Sequence, residues 1–272
     1  MTAAKESWAE LWPSKQPEKS EPLLKALHIL TRDGKLNADS RRKLKQVLHL
    51  VNFLRPAIEA ALARSDDPFF ADVGAGKSYL GFVLYDLLLA PAGRGRMVGV
   101  ETREDLVAKS QALASESGFE RMQFICAPIA EAKLPDSEIE MVTALHACDT
   151  ATDDAIQFAL RHQAKPVALV PCCQAAVARL LDGKGGAFHQ LWRHPIQRRE
   201  FGAHVTNVIR GLFLEAHGYK VRVTELTGLE HSLKNELILA ERHQLTNPKA
   251  RAELDKLIEQ IGVRPALLDA VE

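Results

Sequence analysis

The sequence predicts an α/β fold in which a largely parallel sheet is covered by helices on both faces. Between residues 66 and 245, seven short apolar runs alternate with segments of helical periodicity, as expected for consecutive strand–helix units. The runs are continuously apolar, which is typical of parallel strands buried on both faces. A glycine-rich turn, Gly74-Ala-Gly76, directly follows the first run, at the strand end where such sheets bind ligands.

Residues 1–65 are predicted to form an N-terminal helical segment. A short helix is expected over 22–30, ended by Asp33-Gly34, and a longer one begins at the N-cap candidates 37–40. The apolar stripe of this longer helix recurs at helical spacing: Leu44, Val47, Leu48, Val51 and Leu54. Pro56 is expected to kink or end it. The basic residues Arg41, Arg42 and Lys45 lie off the stripe, on a solvated face or on a flank of the active site.

The rest of the chain divides into a ligand-binding domain over 66–245 and a C-terminal helix within 246–272. The predicted strands are 68–73, 96–101, 122–126, 140–145, 166–170, 220–225 and 236–240. The predicted helices are 78–89, 103–117, 152–162, 206–217 and 248–261. Because no helix separates the last two strands, we expect them to form an antiparallel pair.

Composition limits the classes of function. Lys and Arg number 35, as do Asp and Glu, so the formal net charge is zero and any nucleic-acid contact must come from a local basic patch. No apolar run is long enough to span a membrane, and the polar first 20 residues do not resemble a signal peptide. Four cysteines in such a chain are expected to be free thiols in the cytoplasm.

The glycine turn allows two interpretations. The segment from Ala71 to Gly76-Lys77-Ser78 fits a relaxed phosphate loop, with Ala in place of the first glycine. Against this, Asp72 would lie inside a loop that binds a polyanion, and no other strand ends in a plausible partner for Mg²⁺ beside Ser78.

The second interpretation is a site for S-adenosylmethionine, which has a cationic sulfonium, an ammonium and a ribose but no phosphate. An acid at the end of the first strand, Asp72, suits the ammonium. An acid at the end of the second strand, Glu101, suits the ribose hydroxyls, much as dinucleotide-binding folds place their ribose acid. The two acids distinguish this site from a phosphate loop more clearly than the glycines do.

These motifs resemble those of class I S-adenosylmethionine-dependent methyltransferases. Residues 72–80 together with Glu101 resemble the first two motifs of that family, except that Ser78 stands where many members have a third glycine, and residues 66–242 match its seven-strand order. The resemblance implies a Rossmann-like seven-stranded class I methyltransferase sheet with S-adenosyl-L-methionine as cofactor. The motifs at 145–149, 151–153 and 171–173 resemble a subgroup that includes the methyltransferase domain of the glutathione S-transferase C-terminal-domain-containing protein and its bacterial relatives.

The resemblance also implies a set of cofactor-binding residues. Asp72, Gly74, Ala75 and Gly76 are expected at the methionine part, and Glu101 with Thr102 at the ribose. The segment Ala127-Pro128-Ile129 is expected to border the adenine, although the acid often found there is missing. His146 is expected beside the transferable methyl.

The expected acceptor side combines an imidazole, a carboxylate and three thiols. His146, Cys148 and Asp149 follow the fourth strand, and Cys172 and Cys173 follow the fifth. Four interpretations remain open: simple packing, acceptor positioning with acid–base help from His146, nucleophilic catalysis by a cysteine as in pyrimidine C5 methyltransferases, or metal binding. The spacing is unlike that of zinc sites, so no metal is expected. The Asp/Asn-Pro-Pro-aromatic signature of amino-adenine methylation is absent.

An insertion over 174–205 follows the fifth strand. Basic and aromatic residues interleave between 184 and 201, including Trp192, Arg198, Arg199 and Phe201, which suits single-stranded RNA; a solvated active-site lid is the alternative. The methyl acceptor stays open, with RNA favoured over protein or a small molecule. The rival functions are a phosphate-loop nucleotide-binding protein and a non-catalytic scaffold that binds S-adenosylmethionine or RNA.

Overall fold

A computed structural model describes residues 7–14, 17–134, 138–145, 147–171, 173–226 and 236–269. The chain divides into two compact units, Met1–Ala127 and Pro128–Glu272. The domain boundaries predicted near residues 65 and 245 rest on sequence pattern instead, and they stay a prediction.

The first unit contains three parallel strands in the order β3-β2-β1. They are β1 (Phe69–Val73), β2 (Arg96–Glu101) and β3 (Met122–Cys126), close to the predicted bounds. Every residue of β1 is buried, as its unbroken apolar sequence indicates. In the centre of β2, a Cβ on Gly99 would lie 2.5 Å from the ring of Phe124, so the close packing of β3 requires glycine there.

The helices of the first unit differ from prediction at two prolines. The unit contains α1 (Trp8–Leu11), α2 (Pro17–Ala26), α3 (Ala38–Arg64), α4 (Tyr79–Leu84), a π-helical turn (Tyr85–Leu89), α5 (Ala90–Ala92) and α6 (Glu104–Glu116). Helix α2 begins five residues before Pro22, and α3 passes through Pro56 to Arg64. Pro56 and Asn52 are both exposed, so water can satisfy the carbonyl that lacks a helical partner. The predicted N-cap is confirmed, because the Asn37 side chain accepts the Ser40 N–H at 2.7 Å.

The second unit contains four strands in the order β4-β5-β7-β6. They are β4 (Ile139–Leu145), β5 (Pro166–Val170), β6 (Tyr219–Glu225) and β7 (Glu236–Arg242). Strands β4 and β5 are parallel, whereas β7 is antiparallel to both β5 and β6. The predicted antiparallel pairing of the last two strands is confirmed.

The helices of the second unit are α7 (Ala151–Arg161), α8 (Ala176–Leu180), α9 (Pro195–Ala216) and α10 (Pro248–Ile261). Short 3₁₀ turns span Ile129–Glu131, His189–Leu191 and Ala266–Leu268. The prediction of a helix from 206 is wrong at its start, because α9 begins at Pro195. A Cβ on Gly202 would lie 2.6 Å from the Ala178 backbone, so glycine at this position permits α8 to pack against α9.

The strand order β3-β2-β1-β4-β5-β7-β6 is that of the Rossmann-like seven-stranded mixed sheet of class I methyltransferases, and the predicted fold class is confirmed. Among the helices of the described ranges, none has the length and apolarity that crossing a bilayer requires.

Candidate functional site

The glycine turn after β1 is built from three left-handed backbone positions. Gly74 has φ 62°, Gly76 has φ 59° and Ser78 has φ 49°. The Ala75 N–H donates to the Val100 carbonyl at 3.0 Å, and the Ser78 N–H donates to the Ala75 carbonyl at 2.7 Å. The first bond fixes the turn against the end of β2, and the second closes the turn itself.

Ser78 replaces a glycine of the family motif at a position that glycine adopts most readily. Its side chain is fully buried, and its hydroxyl donates to Asp72 Oδ2 at 3.1 Å. Asp72 itself is only 2% exposed. The hydrogen bond between these two residues therefore offsets part of the cost of the left-handed backbone, and it orients the Asp72 carboxylate.

The Glu101 carboxylate at the end of β2 accepts hydrogen bonds on both oxygens. Oε2 accepts the Gly76 N–H at 2.7 Å. Oε1 accepts the N–H groups of Thr102 and Arg103, each at 3.0 Å, and the Thr102 hydroxyl at 3.2 Å. Burial raises the pKa of Glu101, but the hydrogen bonds from Arg103 and Gly76 more than offset this, so its pKa lies below the ordinary value.

The Arg103 side chain covers this carboxylate. Its Nε donates to Glu101 Oε1 at 3.0 Å, and its Nη2 lies 3.5 Å from Oε2. Among the residues that the structure describes, leaving out the chain neighbours of Gly76, only this Nη2 comes within 4 Å of a Cβ built on Gly76. Apart from this exposed guanidinium, the described chain leaves open space over Gly76.

These contacts separate the two interpretations of the turn. A phosphate loop offers its N–H groups to phosphate and its Ser hydroxyl to Mg²⁺, whereas here the Gly76 N–H binds Glu101 and the Ser78 hydroxyl binds Asp72. Two carboxylates beside an open glycine turn fit a ligand with an ammonium and ribose hydroxyls. The residues present therefore fit S-adenosylmethionine and do not fit a polyphosphate.

The segment after β3 begins beside the same strand end. The Ala127 N–H donates to the Glu101 carbonyl at 3.1 Å, and the Cys126 thiol lies 3.5 Å from the Thr102 carbonyl. Pro128 and the buried Ile129 open the second unit, where Ile129 starts a 3₁₀ turn.

In the second unit, the structure brings Asp149 and Cys173 together. The Asp149 N–H donates to the Cys173 carbonyl. The Asp149 carboxylate accepts the Ala175 N–H at 3.0 Å and an Arg179 N–H at 2.6 Å. Burial raises the pKa of Asp149, but Arg179 and Ala175 outweigh this and lower it overall. Cys148 and Cys173 are exposed thiols outside any disulfide, whereas His146 and Cys172 lie outside the described residues.

A buried polar network next to Asp149 escaped the sequence analysis. The Arg210 guanidinium, 1% exposed, donates to Asp153 Oδ1 at 2.6 Å, to the Asp149 carbonyl at 2.7 Å and to Asn207 Oδ1 at 3.2 Å. Asn207 in turn donates to Glu236 Oε2. Burial raises the pKa of Asp153, and Arg210 offsets only part of that effect. A charged residue on an apolar helix face at Arg210 is the one signal that the sequence offered.

The insertion after β5 contains α8 and the start of α9, and its tryptophan is buried and not available for stacking. Trp192 is 2% exposed; its Nε1 donates to the Lys184 carbonyl at 3.0 Å, and its ring lies 5.4 Å from that of Phe201. Phe188 is the exposed aromatic of this segment, at 47%.

Within the described ranges, which leave out His146 and Cys172, no group of three or more His, Cys, Asp and Glu side chains is arranged to hold an ion.

The fold and the glycine turn together define an α/β protein with a site for a ligand that contains a nucleoside. Its sequence matches the model of a family described as a methyltransferase domain over residues 42–180, just over half of the 272 residues. The chain belongs to this methyltransferase family, and it is an S-adenosylmethionine-dependent methyltransferase.

Other comparisons gave distant likenesses. No curated protein matched the chain significantly. One similar solved structure is an rRNA methylase from Streptococcus thermophilus, at 13% identity over 69% of this chain and 92% of that one, with a TM-score of 0.46. Another is precorrin-6y C5,15-methyltransferase from Geobacter metallireducens, at 17% identity, 70% and 87% coverage and a TM-score of 0.42. TrmK of M. capricolum, in complex with S-adenosyl-homocysteine, has 12% identity, 74% and 73% coverage and a TM-score of 0.44.

Proposed function

We propose that the chain methylates RNA in the cytoplasm, using S-adenosylmethionine bound at the glycine turn. The observation that carries the cofactor site is the pair of buried acids, Asp72 and Glu101, beside the left-handed glycines. The exposed thiols Cys126, Cys148 and Cys173 are consistent with a reducing compartment.

Each residue of the turn has a proposed task. Asp72, oriented by Ser78, binds the ammonium of the methionine part, while Gly74, Ala75 and Gly76 let the backbone approach it. Glu101 accepts the ribose hydroxyls beside Thr102, and Ala127, Pro128 and Ile129 border the adenine. The bound cofactor supplies an electrophilic methyl group on a sulfonium sulfur.

The acceptor side is proposed to comprise His146, Cys148, Asp149, Cys172 and Cys173. Asp149 fits a positioning task best, because both of its oxygens are engaged by Ala175 and Arg179 and its lowered pKa makes it a weak base. These motifs also support membership of the subgroup that includes the methyltransferase domain of the glutathione S-transferase C-terminal-domain-containing protein.

RNA as acceptor is supported by the surface of residues 184–201. Phe188 offers an exposed ring for base stacking, and Lys184 and Arg193 offer exposed cations for phosphates. The zero net charge makes this local patch the expected source of affinity.

The cofactor site is tested by calorimetry with S-adenosylmethionine. Glu101→Ala should weaken binding at least tenfold, about 1.4 kcal/mol, because the ribose loses its acceptor. Glu104→Ala, an exposed acid three residues away, is the control and should bind normally. Equal affinity of Glu101→Ala and wild type would refute the ribose role.

The acceptor is tested by transfer of labelled methyl groups to fractionated cell RNA and cell protein. We expect label in RNA, reduced at least tenfold by Phe188→Ala combined with Lys184→Ala and Arg193→Ala, with a weaker salt dependence of RNA binding. Lys220→Ala, an exposed cation on β6, is the control. Label confined to the protein fraction would exclude RNA as acceptor.

A further inference from the structure

A cavity of about 280 Å³ lies within the second unit, beside Cys173. One face of α9 forms much of its wall, because residues three or four positions apart lie on the same side of a helix. The segment after β5 and the first residue of β7 complete it. The volume, at the lower end of the range for ligand pockets, suits one ring system rather than a whole nucleotide. The lining residues of α9 are Arg199, Glu200, Ala203, His204 and Asn207.

This cavity adjoins the surface that is proposed to bind RNA. Arg199 and Glu200 line the cavity and also belong to the segment 184–201. Ala203 lies eight residues beyond Pro195, which is about 12 Å along α9, and the exposed Arg193 comes just before that helix. Both features belong to the second unit, so a single strand bound at the surface can place one of its bases in the cavity.

The Glu236 carboxylate is the acceptor group of the cavity. Its Oε2 accepts one hydrogen bond from the Asn207 amide, and its Oε1 lies 3.7 Å from His204 Nδ1, beyond hydrogen-bond distance. A carboxylate has about four acceptor positions, so these contacts leave both oxygens able to accept further N–H groups. The Glu236 side chain keeps 34% of its surface exposed, which makes it accessible to a bound molecule.

Asn207 is itself fixed from behind by buried charge. Arg210 donates to its Oδ1 at 3.2 Å, which leaves the Asn207 amide N–H groups to face Glu236. Arg210 is fixed in turn by Asp153 and by the Asp149 carbonyl. Burying such an ion pair is costly in desolvation, and an apolar core would often be equally stable. What the network does achieve is orientation, since it holds the amide that sets the position of the Glu236 carboxylate.

The charge of the cavity selects the chemistry of its ligand. Glu236 disfavours phosphate and carboxylate groups and accepts N–H donors. Arg199 does not reverse this preference, because its guanidinium is paired with Glu200 at 2.9 Å. The walls at Pro171, Ala175 and Ala203 are apolar and small. The cavity therefore suits a flat ring that carries N–H donors.

The four RNA bases differ in the N–H donors that they present side by side. Guanine has a ring N1–H next to an exocyclic amino group, and this pair matches the two oxygens of one carboxylate. Adenine and cytosine have their amino group next to a ring acceptor, and uracil has its N–H between two carbonyls. A carboxylate repels each of those neighbouring acceptors, so guanine is the base that Glu236 favours.

We propose that this cavity binds one unpaired guanine of the RNA, with Glu236 accepting its N1–H and an amino N–H. The proposal rests on the proposed function and gives it a sequence preference, a guanosine close to the nucleotides held by the segment 184–201. Asn207 and Arg210 are positioning residues that orient Glu236. The guanine is a recognition element of the substrate, whichever nucleotide receives the methyl group.

The binding test uses free nucleosides and needs neither RNA nor turnover. In backbone NMR spectra of the full chain, guanosine should shift the amide signals of Ala175 and Ala203. Inosine, which lacks the amino group, and adenosine, cytidine and uridine should bind at least fivefold more weakly. Equal affinity for guanosine and inosine would overturn the proposal. Ethylguanidine binding as tightly as guanosine would also overturn it, because the cavity would then fit an arginine side chain of a protein.

Two variants test the cavity by different means. Glu236→Gln replaces one acceptor oxygen by a donor and should weaken guanosine binding at least tenfold. Ala203→Leu fills the cavity without changing its charge and should have the same effect. Glu241→Gln, which removes an exposed acid on the same strand, is the control and should bind normally. The NMR spectrum reports whether each variant is folded, and wild-type guanosine affinity in either folded variant would contradict the assignment.

In RNA, the preference is measured with oligouridylates that carry one guanosine, inosine or adenosine. Wild type should bind the guanosine strand at least fivefold more tightly than the others. Glu236→Gln should lose this preference and keep the salt-dependent affinity that Lys184 and Arg193 are proposed to provide. An unchanged preference in Glu236→Gln would overturn the proposal.

Labelled methyl transfer to cell RNA separates this proposal from the proposed function. Guanine-selective binding without any transfer would refute RNA methylation and leave the guanine site intact. Transfer with the same KM for RNA in Glu236→Gln as in wild type would overturn the guanine site and leave RNA methylation intact.

Discussion

At the scale of single residues, Glu101 has more hydrogen-bond partners than a ligand-binding acid needs. Its two oxygens accept bonds from Gly76, Thr102 and Arg103, so ribose hydroxyls can bind only where one partner leaves. Arg103 is the partner that can leave, because its side chain is 62% exposed and the other donors are backbone groups or the short Thr102 hydroxyl. Since the pKa of Glu101 is lowered, its ionised form stabilises the fold above the ordinary pKa, and this contribution is lost as the pH falls through the lowered value.

Arg103→Met should therefore tighten binding of S-adenosylmethionine. In wild type, the Arg103 guanidinium must leave the Glu101 carboxylate before the ribose can bind, whereas in the variant those lone pairs are already free. Losing one competing hydrogen bond of about 1 kcal/mol corresponds to roughly a fivefold lower Kd. Calorimetry measures the effect, with Arg94→Met as control because Arg94 pairs with Asp66 away from the turn. Weaker binding by Arg103→Met would mean that the guanidinium contacts the ligand.

At the scale of elements, the sequence predicted strands better than helix ends. All seven strands lie within two residues of prediction, since a buried parallel strand must be apolar throughout. The predicted starts of α2 and α9 were wrong by five and eleven residues, because the first helix was begun at Pro22 and residues 174–205 were assigned to an insertion, whereas both packed helices begin earlier. In both helices, tertiary contacts override low intrinsic helix propensity, as where α8 packs against Gly202.

Within the first unit, Asp86 of the π-helical turn binds residues of the N-terminal helical segment. Asp86 Oδ2 accepts the Ser20 hydroxyl at 2.7 Å and Trp12 Nε1 at 3.2 Å. Burial raises the pKa of Asp86, and these two hydrogen bonds offset only part of the effect. The ionised form therefore costs stability, and this cost appears as the pH rises through and above the ordinary pKa.

Asp86→Asn should keep the segment docked and unfold at a temperature equal to or above that of wild type at pH 7, since the amide oxygen accepts both bonds without a buried charge. Asp86→Leu should lose both bonds, about 2 kcal/mol, and expose Trp12 to quenchers. Thermal unfolding and tryptophan fluorescence measure the two effects, with Asp105→Asn on exposed α6 as control. A greater loss in Asp86→Asn than in Asp86→Leu would contradict the assignment.

At the scale of the whole molecule, ligand choice follows from the distribution of charge rather than its sum. The chain is neutral overall, yet the glycine turn has two acids and the segment 184–201 is basic. In the proposed function, these local patches let a neutral molecule select a cationic cofactor at one place and bind RNA at another.

S-adenosylmethionine and S-adenosylhomocysteine should both raise the unfolding temperature of the full chain. A ligand at 100 times its Kd stabilises by about 2.7 kcal/mol, which corresponds to roughly 5–10 °C for a chain of this size. ATP with Mg²⁺ should raise it by less than about 1 °C, because the Gly76 N–H and the Ser78 hydroxyl are engaged by carboxylates. A larger shift with ATP than with S-adenosylmethionine would restore the phosphate-loop interpretation.

The sequence by itself determined the order of strands and helices, the glycine turn and the two acids that are proposed to select its cofactor. These features are local, because hydrophobic periodicity and a residue at a strand end are encoded within a few neighbouring positions. Only the tertiary structure decided how those acids are used: Glu101 binds Gly76 and Arg103, and Asp72 binds Ser78. It alone revealed Arg210, Asn207 and Glu236 as one network, because residues up to 61 positions apart, as in the bond from Arg210 to the Asp149 carbonyl, meet only when helices and strands pack. The two acids inferred from the strand ends thus form a charged site whose hydrogen-bonding groups are partly taken up by the protein's own donors. No pattern along the chain encodes that arrangement.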